Sequence, residues 1–208
     1  MANLVPKVPA EAWLQAARQT LIDEGIDAVK VDRLAKQLGV TRGGFYHHFV
    51  DRDELLQRLL RHWQDEVVFV DSGALPGNPA EALEAIDALV EHLMREDGYD
   101  PKFDMAVRAW AHASEATAAA VASSDEQRIE ALTKIFSALG CRKDEAQVRA
   151  RVFYFHQIGY YAIGVHESRG LRRQRVPIYI EILCGEQHLA AARAWAAAHQ
   201  PQVKEKTN

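Results

Sequence analysis

Apolar residues in this chain recur at intervals of three and four, and the strict alternation that marks strands is scarce. Breakers stand at Gly39, at 71–79, at 97–101, at Gly140 and at 167–175. Between them the spacing predicts about nine helices, over 10–24, 31–38, 42–48, 52–70, 79–96, 101–112, 115–138, 143–166 and 176–198. The expected fold class is all-α. No internal repeat is evident, and the polar tail 201–208 is expected to be disordered.

The first three helices are short and tightly joined. Trp13, Ala16, Ala17, Thr20 and Leu21 form one stripe, with Gly25 at the position of a C-terminal glycine. Val31, Leu34, Ala35 and Leu38 form a second stripe, ended by Gly39. Gly39-Val40-Thr41 then leads straight into a third helix, which is the helix-turn-helix pattern. Phe45 and Phe49 share the inward face of that third helix. Arg42 with Tyr46, and Gly43 with His47, share outward rows. Gly43 and Gly44 each cost roughly 1 kcal/mol of helix propensity relative to alanine. Close approach of the backbone to a partner such as a DNA edge is one physical reason to accept that cost; a tolerated pair in a marginal helix is the other. Arg52 suits a phosphate contact, and Asp51 with Glu54 three residues on forms a capping box for the fourth helix. Leu55, Leu56, Leu59, Leu60 and Trp63 give that helix its inward stripe.

The stretch GIDAVKVDRLAKQLGVTRGGFYHHFVDRDELL resembles the DNA-binding domain of the TetR/AcrR family of one-component transcriptional regulators. Its most specific part runs from Val40 to Phe49 and closes on Tyr46-x-x-Phe49, followed by Arg52, Leu55 and Leu56. The resemblance covers about a quarter of the chain at motif level. It implies a helix-turn-helix domain over 1–51, a ligand-binding and dimerisation domain over 52–200 linked by helix 52–70, and the tail 201–208. It also implies that Arg42 and Gly43 lie against base edges. Thr41, Gly44, Tyr46, His47 and Arg52 would then sit at the phosphate backbone, with His48 nearby. Lys30 departs from the family, which usually has Ser or Thr there. Lysine has no acceptor and cannot cap, but it can reach a phosphate as a point charge.

Helix 143–166 is apolar on two faces: Val148, Val152, Phe155, Gly159 and Ala162 on one, Ala150, Phe153, Gln157, Tyr160 and Gly164 on the other. Helix 176–198 repeats this, with Ile178, Ile182, Gly185, Leu189 and Ala192 in one stripe and Pro177 in its first turn. One face of each helix can cover its own domain. The other can pack on a second copy, as the family's last two long helices do, giving a homodimer. The resemblance further implies an effector pocket. Phe103, Met105 and Trp110, together with Phe153, His156, Gln157 and Tyr160, supply apolar walls and a few polar groups for a small, largely apolar molecule.

The net charge of −4 does not itself point to nucleic acid, but residues 30–62 carry seven basic against four acidic side chains, so that segment is +3 and the remainder −7. No HExxH, Glu-x-x-His, GxGxxG, P-loop or GxSxG is present, and His47 and His48 are the only histidines within five residues of each other. No catalytic residue, metal site or cofactor is therefore expected, and the chain is not expected to be an enzyme. Cys141 and Cys184 lack paired spacing, which fits a reducing cytoplasm. The longest run without Lys, Arg, Asp or Glu, 152–166, is too short to span a bilayer, and the N-terminus lacks the layout of a signal peptide. The expected function is a ligand-responsive, dimeric regulator that binds a palindromic double-stranded operator, as a repressor by family habit. A helical protein-interaction module and a helical enzyme for a small apolar substrate stand as the other two readings.

Overall fold

The computed structural model describes residues 8–70, 75–95 and 99–199; the tail 201–208 lies outside them. The described residues form ten α-helices: α1 (Ala10–Glu24), α2 (Val31–Gln37), α3 (Arg42–Phe45), α4 (Arg52–Glu66), α5 (Pro79–Arg95), α6 (Pro101–Ala111), α7 (Glu115–Ala138), α8 (Lys143–Ala162), α9 (Arg169–Cys184) and α10 (Glu186–Ala198). A single 3-10 turn, Ile26–Ala28, joins α1 to α2. The all-α expectation holds.

The chain divides into two compact units. The first reaches to Val68 and takes back Gly98–Ser124; the second holds Phe69–Asp97 and everything from Asp125. Within the first unit α4 and α6 both pack with α1.

In the first unit the predicted stripes point inward as expected. Trp13, Ala17, Leu34, Phe45, Leu55, Leu59 and Trp63 are fully buried. Each large apolar side chain contributes about 1.5–3 kcal/mol by leaving water. Trp13 meets Phe45 edge-on at 5.3 Å, and Phe45 stacks on Phe49 at 5.0 Å. These contacts pin α3 to the domain despite its shortness. A buried carboxylate joins α4 to α6: Asp104 accepts from Trp63 Nε1 at 2.9 Å, from the Tyr99 hydroxyl at 3.0 Å and from Arg108 Nε at 3.0 Å. Asp100 caps α6 through the Lys102 and Phe103 amides, just before Pro101.

In the second unit α5 packs on α9 and α10, and α8 on α9. The expected helix 176–198 is corrected to two helices. Ser168 accepts from the Leu171 amide and starts α9 early, so residues 169–175, part of the breaker 167–175, form its opening turns. Pro177 therefore lies inside α9 rather than in a first turn. It is exposed, where water can serve the carbonyl that a proline leaves without its helical donor. Gly185, at φ 78, ends α9, and α10 begins at once with a new register. The apolar stripe through Ile178 and Ile182 is broken there. Those two are 58 % and 71 % exposed, whereas Leu189 and Ala192 beyond the break are buried.

Candidate nucleic-acid interface

The turn between α2 and α3 is closed by Gly39, at φ 68, whose amide donates to the Lys36 carbonyl, while the Val40 amide donates to that of Ala35. It delivers α3 with Phe45 and Phe49 buried and with Arg42, Gly43, Tyr46 and His47 exposed. The Thr41 hydroxyl makes no capping bond and Thr41 is exposed. Lys30 starts α2 without a side-chain cap, as its chemistry requires, and is exposed.

Three residues expected near phosphate are half-buried, and two of them also bond within the chain. Arg52 donates from Nε to the Val29 carbonyl at 2.6 Å and from Nη2 to the Ile26 carbonyl at 3.0 Å. Its planar fork thus braces the 26–29 turn, where the Ile26 carbonyl also accepts from the Val29 amide, and Arg52 is half-buried. His48 is half-buried and its Nε2 donates to the Val8 carbonyl at 2.8 Å, holding the residues just before α1. Gly44 is also half-buried. A Cβ there would point at Trp13 Cζ2, 3.9 Å away, and at Val40 Cγ2, 4.0 Å away. A Cβ on Gly43 would meet only Thr41 Oγ1, at 3.6 Å. Both glycines have negative φ, so nothing among the described residues requires glycine at either position.

Arg42 is held on the surface by Tyr46, its partner in the outward row, and by Asp32. Its Nη2 and Nε donate to the Tyr46 hydroxyl at 3.0 and 3.3 Å, and Nη1 lies 3.5 Å from Asp32 Oδ2. The i, i+4 spacing of Arg42 and Tyr46 was the available signal. Behind them, Asp51 Oδ1 accepts from the Glu54 amide at 2.9 Å, and Glu54 Oε2 accepts from the Val50 amide at 2.7 Å. The expected capping box is therefore present, its return bond moved one residue toward the N-terminus. The Val50 amide first, and then Arg58, hold the Glu54 carboxyl below its ordinary value.

The second unit holds a cavity enclosing ≈ 70 Å³, room for a few water molecules. Phe153, His156, Gln157 and Tyr160 line it, as expected. Phe103, Met105 and Trp110 do not. All three belong to the first unit, where Phe103 is fully buried beneath the Arg18 guanidinium at 4.8 Å. The remaining walls come from α5 (Ile86, Val90, Leu93 and Met94) and from α9 (Arg172, Tyr179 and Leu183 among them). The i, i+4, i+7 spacing of Ile86, Val90 and Leu93 marked a buried face, but spacing alone cannot say that a cavity lies beside it. The Gln157 Nε2 is buried with no hydrogen-bond partner. The Arg172 guanidinium sits 5.0 Å from the Tyr160 ring centre, and burial pushes the Tyr160 hydroxyl above its ordinary value.

On the opposite side of α8, Val148, Val152 and Phe155 are 60 %, 53 % and 48 % exposed. Ala162, Ile178 and Ile182 are exposed too, and Gly159 and Gly185 are half-buried. Leu189, expected on this face, is corrected to the core: it lies beyond the register change at Gly185 and is buried. Among the described residues no helix is long and apolar enough to cross a membrane.

Comparison with known proteins points one way. Residues 14–59 match the family model described as bacterial regulatory proteins, tetR family. An HTH-type transcriptional repressor of Mycobacterium tuberculosis, Rv1474c, is 34% identical over 113 residues, which is 51% of this chain and 59% of that protein. The chain thus spans about six tenths of that relative's length. A transcriptional regulator from Rhodococcus sp. Rha1 superposes with a TM-score of 0.57 at 21% identity, covering 90% of this chain and 97% of that one. The reduced form of E. coli NemR superposes with a TM-score of 0.54 at 19% identity, covering 89% and 96%. The two structural likenesses show the fold.

Proposed function

We propose that the chain, whose residues 14–59 match the model of the tetR family of bacterial regulatory proteins, is a dimeric transcriptional regulator of the cytoplasm, not an enzyme. It binds a palindromic operator as a repressor and is released by a small, largely apolar molecule. The observation that carries this reading is the outward face of α3. Arg42, Tyr46 and His47 are exposed there around a glycine that the chain's own packing does not need.

Arg42 is the base reader in this proposal. Bidentate pairing of arginine with guanine is the commonest specific contact in the major groove. Leaving Tyr46 and Asp32 costs little, since both partners are exposed. Lys30, Thr41, Tyr46 and His47 supply backbone contacts, which position the helix and make binding salt-sensitive. The exposed apolar face of α8 and α9 packs on a second copy, so that two α3 helices meet half-sites roughly 34 Å apart. The effector occupies the cavity of the second unit. The unpartnered Gln157 Nε2 favours a molecule carrying one hydrogen-bond acceptor on an apolar body. Such a molecule acts only through unequal affinity for the operator-fitting and non-fitting states.

Arg42→Ala tests the specificity role. The expected loss is about 1–3 kcal/mol on the operator, with weaker discrimination against a scrambled site. Equal losses on operator and scrambled DNA would remove Arg42 from base reading.

A further inference from the structure

Three side chains far apart in sequence meet within the second unit. Cys141 stands between α7 and α8, Glu145 lies in the first turn of α8, and His188 lies near the start of α10. The Cys141 Sγ, a Glu145 carboxylate oxygen and a His188 ring nitrogen all lie within 4.8 Å of one another. Ligands around one tetrahedral zinc-sized ion stand about 3.3–3.6 Å apart, given bond lengths of about 2.0–2.3 Å. Closing the set therefore takes shifts of about 1 Å, within the reach of side-chain torsions. Cys141 and His188 are buried and the Glu145 side chain is 22% exposed, so the cluster has a dry back and an open edge.

The surroundings orient each group. His188 Nδ1 donates to the Cys184 carbonyl at 2.8 Å, since a carbonyl only accepts. That fixes the ring proton on Nδ1 and leaves a lone pair on Nε2, the arrangement that metal-bound histidines use. Gly140, at φ 104, lets the chain turn beside this ring: a Cβ there would stand 3.8 Å from His188 Cδ2. Arg149 holds Glu145 Oε1 from Nη2 at 2.7 Å and from Nε at 3.0 Å, and donates from Nη1 to the Leu183 carbonyl. This contact fixes the carboxylate and uses the guanidinium's charge locally.

We propose that Cys141, Glu145 and His188 form a binding site for a divalent cation of borderline softness, zinc(II) being the type. One sulfur, one imidazole and one carboxylate suit such an ion and do not suit magnesium or calcium, which prefer sets of oxygens. A thiolate and a carboxylate supply two negative charges, one of which the ion shares with Arg149. The Cys141 proton passes to solvent on binding, and water takes the fourth position at the open edge. Cys184 contributes its backbone carbonyl, not its sulfur. The ion ties the turn before α8 to α10 and is independent of the DNA-binding proposal.

Cobalt(II), a spectroscopic stand-in for zinc, provides the test on the full chain, reduced and freed of metal. One equivalent is expected to raise a thiolate-to-cobalt charge-transfer band and the visible bands of a four-coordinate ion, both abolished by zinc(II). Cys141→Ser, nearly the same shape, is expected to abolish the charge-transfer band and to weaken zinc binding by more than about tenfold. Cys184→Ser is expected to keep the band. Zinc is expected to raise the melting temperature of the parent and not that of Cys141→Ser, a comparison that also shows the variant folds. Failure to form the band, its survival in Cys141→Ser, or its loss in Cys184→Ser would each overturn the site.

Discussion

Replacing Gly43 by alanine separates the demands of folding from those of binding. Glycine within a helix costs roughly 1 kcal/mol relative to alanine. Among the described residues the added methyl group would lie in the open, with Thr41 Oγ1 its one neighbour, at 3.6 Å. The backbone there is already helical with negative φ, so no strain offsets the gain. Because α3 is a four-residue helix, the full propensity difference is an upper bound. Gly43→Ala is therefore expected to stabilise the protein by about 0.5–1 kcal/mol, a rise in melting temperature of about 1–4 °C for a chain of this size. The same methyl group stands on the face assigned to DNA and is expected to weaken operator binding by about tenfold or more, equivalent to about 1.4 kcal/mol. Gly44→Ala is the internal control. Its methyl would rest in ordinary contact with Trp13 and Val40, so it should stabilise similarly and weaken binding less. Thermal unfolding and operator titration of the three proteins would measure both effects. A Gly43→Ala protein that is more stable and binds as tightly as the parent would refute close backbone approach as the reason for that glycine.

Other residues give equally direct expectations. Asp104→Ala leaves the buried Trp63 and Tyr99 donors and the Arg108 charge without their shared carboxylate. It should cost about 3–5 kcal/mol in denaturant unfolding, and a cost below about 1 kcal/mol would show the network to be incidental. Val152→Asp, at the centre of the exposed face of α8, should turn a sedimenting dimer into a monomer and sharply weaken operator binding; a dimer that persists would place the interface elsewhere. Burial pushes the Cys184 thiol from its ordinary value of 9.0 up to about 12. At pH 8 its alkylation should run about a thousandfold slower than that of a free thiol, from three pH units less thiolate. Alkylation of Cys184 at the free-thiol rate in the folded protein would contradict that burial.

Helical segments were legible wherever an amphipathic stripe ran between clear breakers. The stripe of α1, the span of α7 and the inward pair Phe45 and Phe49 all follow from 3.6-residue spacing. The α9–α10 region misled because a proline and an arginine run both suggest a loop, while Gly185 in a strongly apolar stretch suggests a packed helix. The decisive local facts were the Ser168 cap and the left-handed Gly185, which one-dimensional periodicity does not weigh. The outward face of α3 was readable because its rows are local. The Arg52 contacts were not legible because a phosphate and two backbone carbonyls both attract a guanidinium, and only the fold brings Ile26 and Val29 within its reach. The Cys141, Glu145 and His188 cluster was invisible for the same reason: His188 stands 47 residues from Cys141, and no spacing rule connects them.

Footprinting the purified full-length protein on the DNA upstream of its own gene, at two salt concentrations, tests the DNA-binding claim most directly. A protected palindrome is expected, with half-sites in successive major grooves, weakening as salt rises and lost in Arg42→Ala. DNA left unprotected at both salt concentrations, or protection without sequence preference, would contradict it.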